Sequence, residues 1–214
     1  MISKKLDEYV GKNTSPELPV LAALNRETHL KRGDSVMLSG HLQGQFLQML
    51  SHMIRPKCIL EIGTFTGYSA ICLAMGLQPG GILHTIEIDE ELQDMAAKYF
   101  EKAELNDRIV QHIGPADEII ANLNETFDMV FIDADKSNYE RYYDLVFDKV
   151  PVGGYILADN VLYDGEVILP GSQQTKNARA ICSFNDKLIA DPRIEHLIVP
   201  LRDGIMIARK VSER

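Results

Sequence analysis

The sequence has no tryptophan and only three cysteines, Cys58, Cys72 and Cys182. They are far apart, odd in number and form no C-x-x-C pair, which argues against a disulfide framework or a cysteine zinc site and for free thiols in a reducing compartment. Basic residues are also short: 22 Lys and Arg stand against 31 Asp and Glu, a net charge of −9. That balance disfavours a nucleic-acid protein built on phosphate contacts. No apolar run approaches the roughly 18 residues needed to span a bilayer, and MISKKLDEYV carries charges where a signal peptide needs its apolar stretch. A soluble, cytoplasmic protein with no membrane partner is expected. There is no internal repeat, low-complexity tract or linker rich in Pro, Gly and Ser. What is present is ordinary globular material, 45% hydrophobic and 25% charged in 214 residues. That length suits one domain over residues 1–214, with a core that needs no staple.

Two zones emerge. Residues 1–55 read as a helical N-terminal extension, with Leu6, Tyr9 and Val10 on one short face and Leu18, Leu21, Leu24, then Phe46, Leu47, Leu50 and Ile54 at helical spacing. Pro16 suits the start of the second helix and Arg55-Pro56 ends the third. From residue 56 the rhythm changes to an α/β core over 56–214. Short apolar runs at 57–63, 81–88, 108–114, 127–134 and 153–160 read as buried strands. Helical patterns at 68–77, 90–104, 116–123 and 139–147 lie between them. A polar loop at 163–176, a helix at 178–190 and strands near 194–199 and 204–210 complete the chain. Alternating strands and helices predict a mainly parallel seven-stranded sheet covered on both faces, with the last strand antiparallel. Ligands of such sheets bind beyond the carboxyl ends of the strands.

The first strand ends in Glu61-Ile62-Gly63-Thr64-Phe65-Thr66-Gly67. The G-x-x-x-G spacing lacks the middle glycine of a dinucleotide fingerprint. A carboxylate beside it would repel a pyrophosphate but could accept hydrogen bonds from a cationic ligand. The second strand ends in Glu87, which could accept both hydroxyls of a ribose, and Asp89, better placed as a helix N-cap. The fourth ends in Asp133-Ala134-Asp135-Lys136 and the fifth in Asp159-Asn160. If these strands are neighbours, Asp133, Asp159 and Asn160 form an all-oxygen set suited to a hard divalent cation. Helix capping and solvent exposure are the blander account, but carboxylates packed this closely repel one another unless something positive sits among them.

EIGTFTGYSA, FIDADKSNY and LADNVLYDG resemble the matching segments of class I S-adenosylmethionine-dependent O-methyltransferases, a Rossmann-like fold. The likeness is to the cation-dependent caffeoyl-CoA O-methyltransferase group and its bacterial members, and spans about residues 35 to 210. It implies that Glu61, Gly63, Thr64 and Ser69 hold the methionine part of S-adenosyl-L-methionine. Glu87 would hold its ribose, the backbone of Ala116 its adenine and Asp135 its ammonium, with Ser39 also lining the site. Asp133, Asp159 and Asn160 fall at the metal-ligand positions, for Mg²⁺ or else Mn²⁺ or Ca²⁺. Lys136 falls at the general base, and Asp133 joins it as a catalytic residue. A cation gripping both oxygens of an aromatic vicinal diol acidifies the hydroxyl and fixes its direction, and a neighbouring lysine can take the proton. Lys136 could instead simply pair with Asp133 or Asp135. The family also implies a homodimer and a small aromatic diol acceptor. Kept beside this reading are methylation of a hydroxylated tRNA base, an NAD-dependent oxidoreductase, and a non-catalytic binding protein. Asp164, in the loop after the fifth strand, stands where some members contact the acceptor.

Overall fold

The computed structural model describes residues 4–213; the expectations for residues 1–3 and Arg214 lie outside them. Three helices lead the chain: α1 (Lys4–Lys12), α2 (Pro19–Lys31) and α3 (Gly40–Ile54). The proline that opens α2 is Pro19, not Pro16: Leu18 is extended and its carbonyl takes the Ala22 N–H at 2.9 Å, so the helix starts after it. The α1 face expected to be apolar is formed but uncovered, with Leu6 50% and Tyr9 64% exposed. Arg55 closes α3 in a left-handed conformation just before Pro56.

A seven-stranded sheet follows in the order β3-β2-β1-β4-β5-β7-β6. Strands β1 (Cys58–Ile62), β2 (Ile82–Glu87), β3 (Ile109–Ile113), β4 (Met129–Ile132) and β5 (Tyr155–Ala158) are parallel. The last strand, β7 (Ile205–Lys210), runs antiparallel to both β5 and β6 (Ile194–Val199), as its short connection requires. Helices α4 (Tyr68–Ala74) and α5 (Gln93–Lys102) join α2 and α3 on one face, where Leu24, Leu47, Ile71 and Tyr99 pack on Ile59 and Phe131. Helices α6 (Ala116–Asn122), α7 (Tyr139–Phe147) and α8 (Lys176–Ala190) cover the other, where Ile120, Tyr143 and Phe184 meet Leu60, Ile62 and Val130. The near-continuous apolar strands are thus buried on both sides. No helix among the described residues is long and apolar enough to cross a membrane.

The segment read as a plain loop is partly structured. Residues Tyr163–Ile168 form a 3₁₀ turn kinked at Asp164 (φ 51°) and Gly165 (φ 80°). Thr175 then caps α8 by accepting the Ala178 N–H at 3.2 Å, which starts that helix two residues before the expected position. The three cysteines are free, Cys72 buried and the others partly buried.

Candidate active site

The sheet delivers its polar residues to one edge, as the strand ends require. Gly63 turns the chain out of β1 at φ +102°, and a Cβ there would run into the Asp133 carbonyl of the neighbouring strand. Gly67 then starts α4 at φ +92°, where a Cβ would press on the Phe100 ring. Both glycines are steric requirements. Between them the loop lays Gly63, Thr64 and Phe65 along a cavity of about 980 Å³.

That cavity brings together the expected residues. Ser39, Gly63, Thr64, Ser69, Glu87, Ala116, Asp133, Asp135, Lys136, Asp159 and Asn160 all line it. Asp164, from the kinked turn, lies on its rim. Glu61 does not line it. It stands behind the wall, fully buried, accepting the Thr85 hydroxyl at 2.6 Å, while Thr85 meets the Thr64 hydroxyl at 2.5 Å. Its Oε1 has no partner. Burial above all pushes this carboxyl up to about 8, with the nearby Thr85 and Ser69 hydroxyls opposing and repulsion from Asp133 and Glu87 added.

Glu87 is 8% exposed. Its Oε2 accepts the Phe65 N–H at 2.7 Å, and its Oε1 those of Ile88 at 2.9 Å and Asp89 at 3.0 Å. It therefore clamps the glycine loop to the end of β2, a role that its spacing alone did not disclose. Asp89 caps the following turn by accepting the Glu91 N–H at 3.0 Å, as expected. Ala116 opens α6 at the far side of the cavity.

Strands β4 and β5 are neighbours, so Asp133 and Asp159 arrive side by side. Lys136 Nζ donates to Asp133 Oδ1 at 3.1 Å and to the Tyr139 hydroxyl at 2.6 Å. The expected pairing of this lysine therefore exists, with Asp133. Asp135 is held instead by Tyr142, at 2.5 Å, and by Asn138, at 2.6 Å. Asp159 is 3% exposed, and its carboxyl is pushed up to about 6 by burial first and by Asp133 second. It accepts Gln43 Nε2 at 2.7 Å and the Asn160 N–H at 2.8 Å. Asn160 takes a left-handed φ of 58° and donates Nδ2 to Asp203 Oδ2 at 3.2 Å. Among the described residues no group of three or more His, Cys, Asp or Glu is placed to hold a metal ion. The candidate set has two carboxylates and one amide, all offering hard oxygen donors.

Several contributors escaped the sequence reading. Gln43, fully buried, reaches Asp159 from α3. Arg202 Nη1 binds the carbonyls of Leu38, at 3.0 Å, and Ser39, and Gln43 Oε1 at 3.2 Å. Thr85, Tyr139, Tyr142 and Asp203 support Glu61, Lys136, Asp135 and Asn160 in turn. Only Gln43 left a trace: it sits four residues before Leu47 and seven before Leu50, a polar residue on an apolar helix face.

The O-methyltransferase family matches residues 12–211. Caffeoyl-CoA O-methyltransferase 1 of Arabidopsis thaliana is 36% identical over 198 residues, covering 87% of this chain and 76% of the plant protein. An O-methyltransferase from Bacillus cereus, solved in complex with SAH, is 32% identical with a TM-score of 0.86 over 96% of this chain and 97% of its own. An SAH-bound methyltransferase from Podospora anserina gives a TM-score of 0.89 at 28% identity, covering 97% of this chain and 94% of the other. These matches set aside the readings as an NAD-dependent oxidoreductase or a non-catalytic binder. With the family model matched over residues 12–211 and 36% identity to the plant enzyme, the chain belongs to the O-methyltransferase family.

Proposed function

We propose that the protein transfers the methyl group of S-adenosylmethionine to one hydroxyl of a catechol-like aromatic diol, with a divalent cation held by Asp133, Asp159 and Asn160. When bound, the cofactor would supply a methyl group on a sulfonium, and the cation would polarise the diol and fix its direction. The chain's own residues do the rest. Gly63, Thr64 and Ser69 cradle the methionine part, backed from behind the cavity wall by the buried acid Glu61. Glu87 accepts the ribose hydroxyls, the Ala116 backbone meets the adenine, and Asp135 takes the ammonium. Lys136, in its neutral amine form, would take the proton of the reacting hydroxyl as its oxygen gains the methyl group, and its 3.1 Å contact with Asp133 supports that reading. Holding both partners in line is the larger part of the rate.

The observation that carries this reading is Asp159. A carboxyl 3% exposed and raised to about 6 beside a second acid is costly to ionise alone, and a divalent cation removes that cost. The caffeoyl-CoA O-methyltransferase relatives support an aromatic acceptor, and the charge of the cavity lining argues against RNA. The lining includes Asp34, Asp117, Asp164 and Asp203 beside the acids already named, a surface that repels an RNA backbone. Methyl-labelled cofactor offered to a panel of vicinal diols and matched monophenols tests the acceptor class. Label should enter one oxygen of the diols. Equal labelling of the monophenols would overturn the diol reading.

We also propose a homodimer, supported by the uncovered apolar face of α1. Light scattering at micromolar concentration should give twice the chain mass, and a monomer mass would overturn it.

A further inference from the structure

We propose that the Arg202-Asp203 turn between β6 and β7 is the positioning element of the cation site, because it fixes the direction of two amides and through them the oxygens offered to the pocket. This rests on reading Asp133, Asp159 and Asn160 as the cation's ligands. An amide side chain has two ends of nearly equal size, and only its oxygen can bind a hard cation. Asp203 Oδ2 accepts from Asn160 Nδ2 at 3.2 Å. A carboxylate can only accept, so it selects the nitrogen and leaves Asn160 Oδ1 free for coordination.

Arg202 applies the opposite logic. A guanidinium can only donate, and Nη1 stands 3.2 Å from Gln43 Oε1. That contact turns Gln43 Nε2 onto Asp159 Oδ2, at 2.7 Å, while Asp159 Oδ1 takes the Asn160 N–H at 2.8 Å. Both oxygens of Asp159 are thus held from the protein side, each with a lone pair to spare. The same Nη1 holds the Leu38 and Ser39 carbonyls, which pins the start of α3 and so the place of Gln43. The turn is itself specified. Arg202 is left-handed at φ 50°, and Gly204, at φ +83°, lies where a Cβ would strike Leu162. Packing alone gives no reason for a fully buried amide at position 43. A methionine would fill the space without the cost of satisfying two polar ends.

The test is Mn²⁺ binding to the full chain by electron paramagnetic resonance, with S-adenosylmethionine affinity by calorimetry as the second readout. Arg202→Ala and Asp203→Ala should each weaken Mn²⁺ binding about 10- to 100-fold and leave cofactor affinity near the parent's. Asp203→Glu keeps an acceptor-only carboxylate for Asn160 Nδ2 and should recover part of the loss. Asp203 also accepts the Asp164 N–H at 2.6 Å. If its alanine variant fails to fold, Arg202→Ala and Gln43→Met decide, and parental Mn²⁺ affinity in both overturns the proposal. A parent chain that binds no Mn²⁺, or binds it equally after Asp159→Ala, overturns the cation reading itself. Loss of Mn²⁺ in Asp159→Ala with parental binding in Arg202→Ala and Asp203→Ala overturns only the positioning role.

Discussion

Glu87 and Asp159 are both buried acids at the carboxyl edge of one sheet, yet the protein treats them differently. Glu87 takes three backbone N–H groups, from the glycine loop and from its own strand end. Asp159 takes one backbone N–H and one amide and lies against a second acid, which with burial raises its carboxyl to about 6. An acid fixed by backbone donors is set in place before any ligand arrives. An acid held against another acid has free energy to gain from a cation. That contrast fits the proposed division, a preformed cofactor cradle in the β1–β2 half and a cation in the β4–β5 half.

The comparison can be broken from either side. The largest effect is expected from Asp159→Ala, which should cut methyl transfer about 100-fold or more while calorimetry finds cofactor affinity little changed. Equal losses of both would mean that the two halves are not separate. Next is Glu61, the acid behind the cradle. Its folded value, about 8, lies above its ordinary value of 4.5, so its contribution to stability is fully present below about pH 4.5. That contribution is lost as pH rises through 8. Glu61→Gln should flatten this slope and raise the stability of the cofactor-free protein at pH 8 by about 4 kcal/mol, seen in urea unfolding at pH 5 and pH 8. A parental slope in the variant would remove Glu61 as its source. The smallest effect is at Glu87. Glu87→Ala should weaken S-adenosylmethionine by about 1–3 kcal/mol through lost hydrogen bonds, and unchanged affinity by calorimetry would take Glu87 out of the ribose site.

Much of this was legible in the sequence because it is local. Apolar runs that end in Gly63, Glu87, Asp133 and Asp159 mark where buried strands stop, and parallel strands that stop together deliver those residues to one edge. Helix boundaries blurred where two signals competed. Pro16 and Pro19 both stand just ahead of the apolar positions of α2, and only the extended Leu18 decides between them. The 3₁₀ turn at 163–168 depends on left-handed Tyr163 and Asp164, which no periodicity announces. The partners of the supporting residues were hidden for a different reason, even where Gln43 itself stood out on an apolar helix face. Gln43 meets Asp159 across 116 residues of chain, and Arg202 meets Gln43 across 159. Such pairs exist only once the sheet has formed, so neither spacing nor propensity carries them.

If Asp133, Asp159 and Asn160 hold a divalent cation, methyl transfer depends on that cation. The direct measurement is the rate of methyl transfer to a vicinal diol by enzyme stripped with EDTA, then titrated with Mg²⁺. The stripped enzyme should show almost no turnover, with recovery that saturates as Mg²⁺ is added. Full turnover by the metal-free enzyme would contradict that dependence and leave Lys136, braced by Asp133 and Tyr139, to activate the hydroxyl alone.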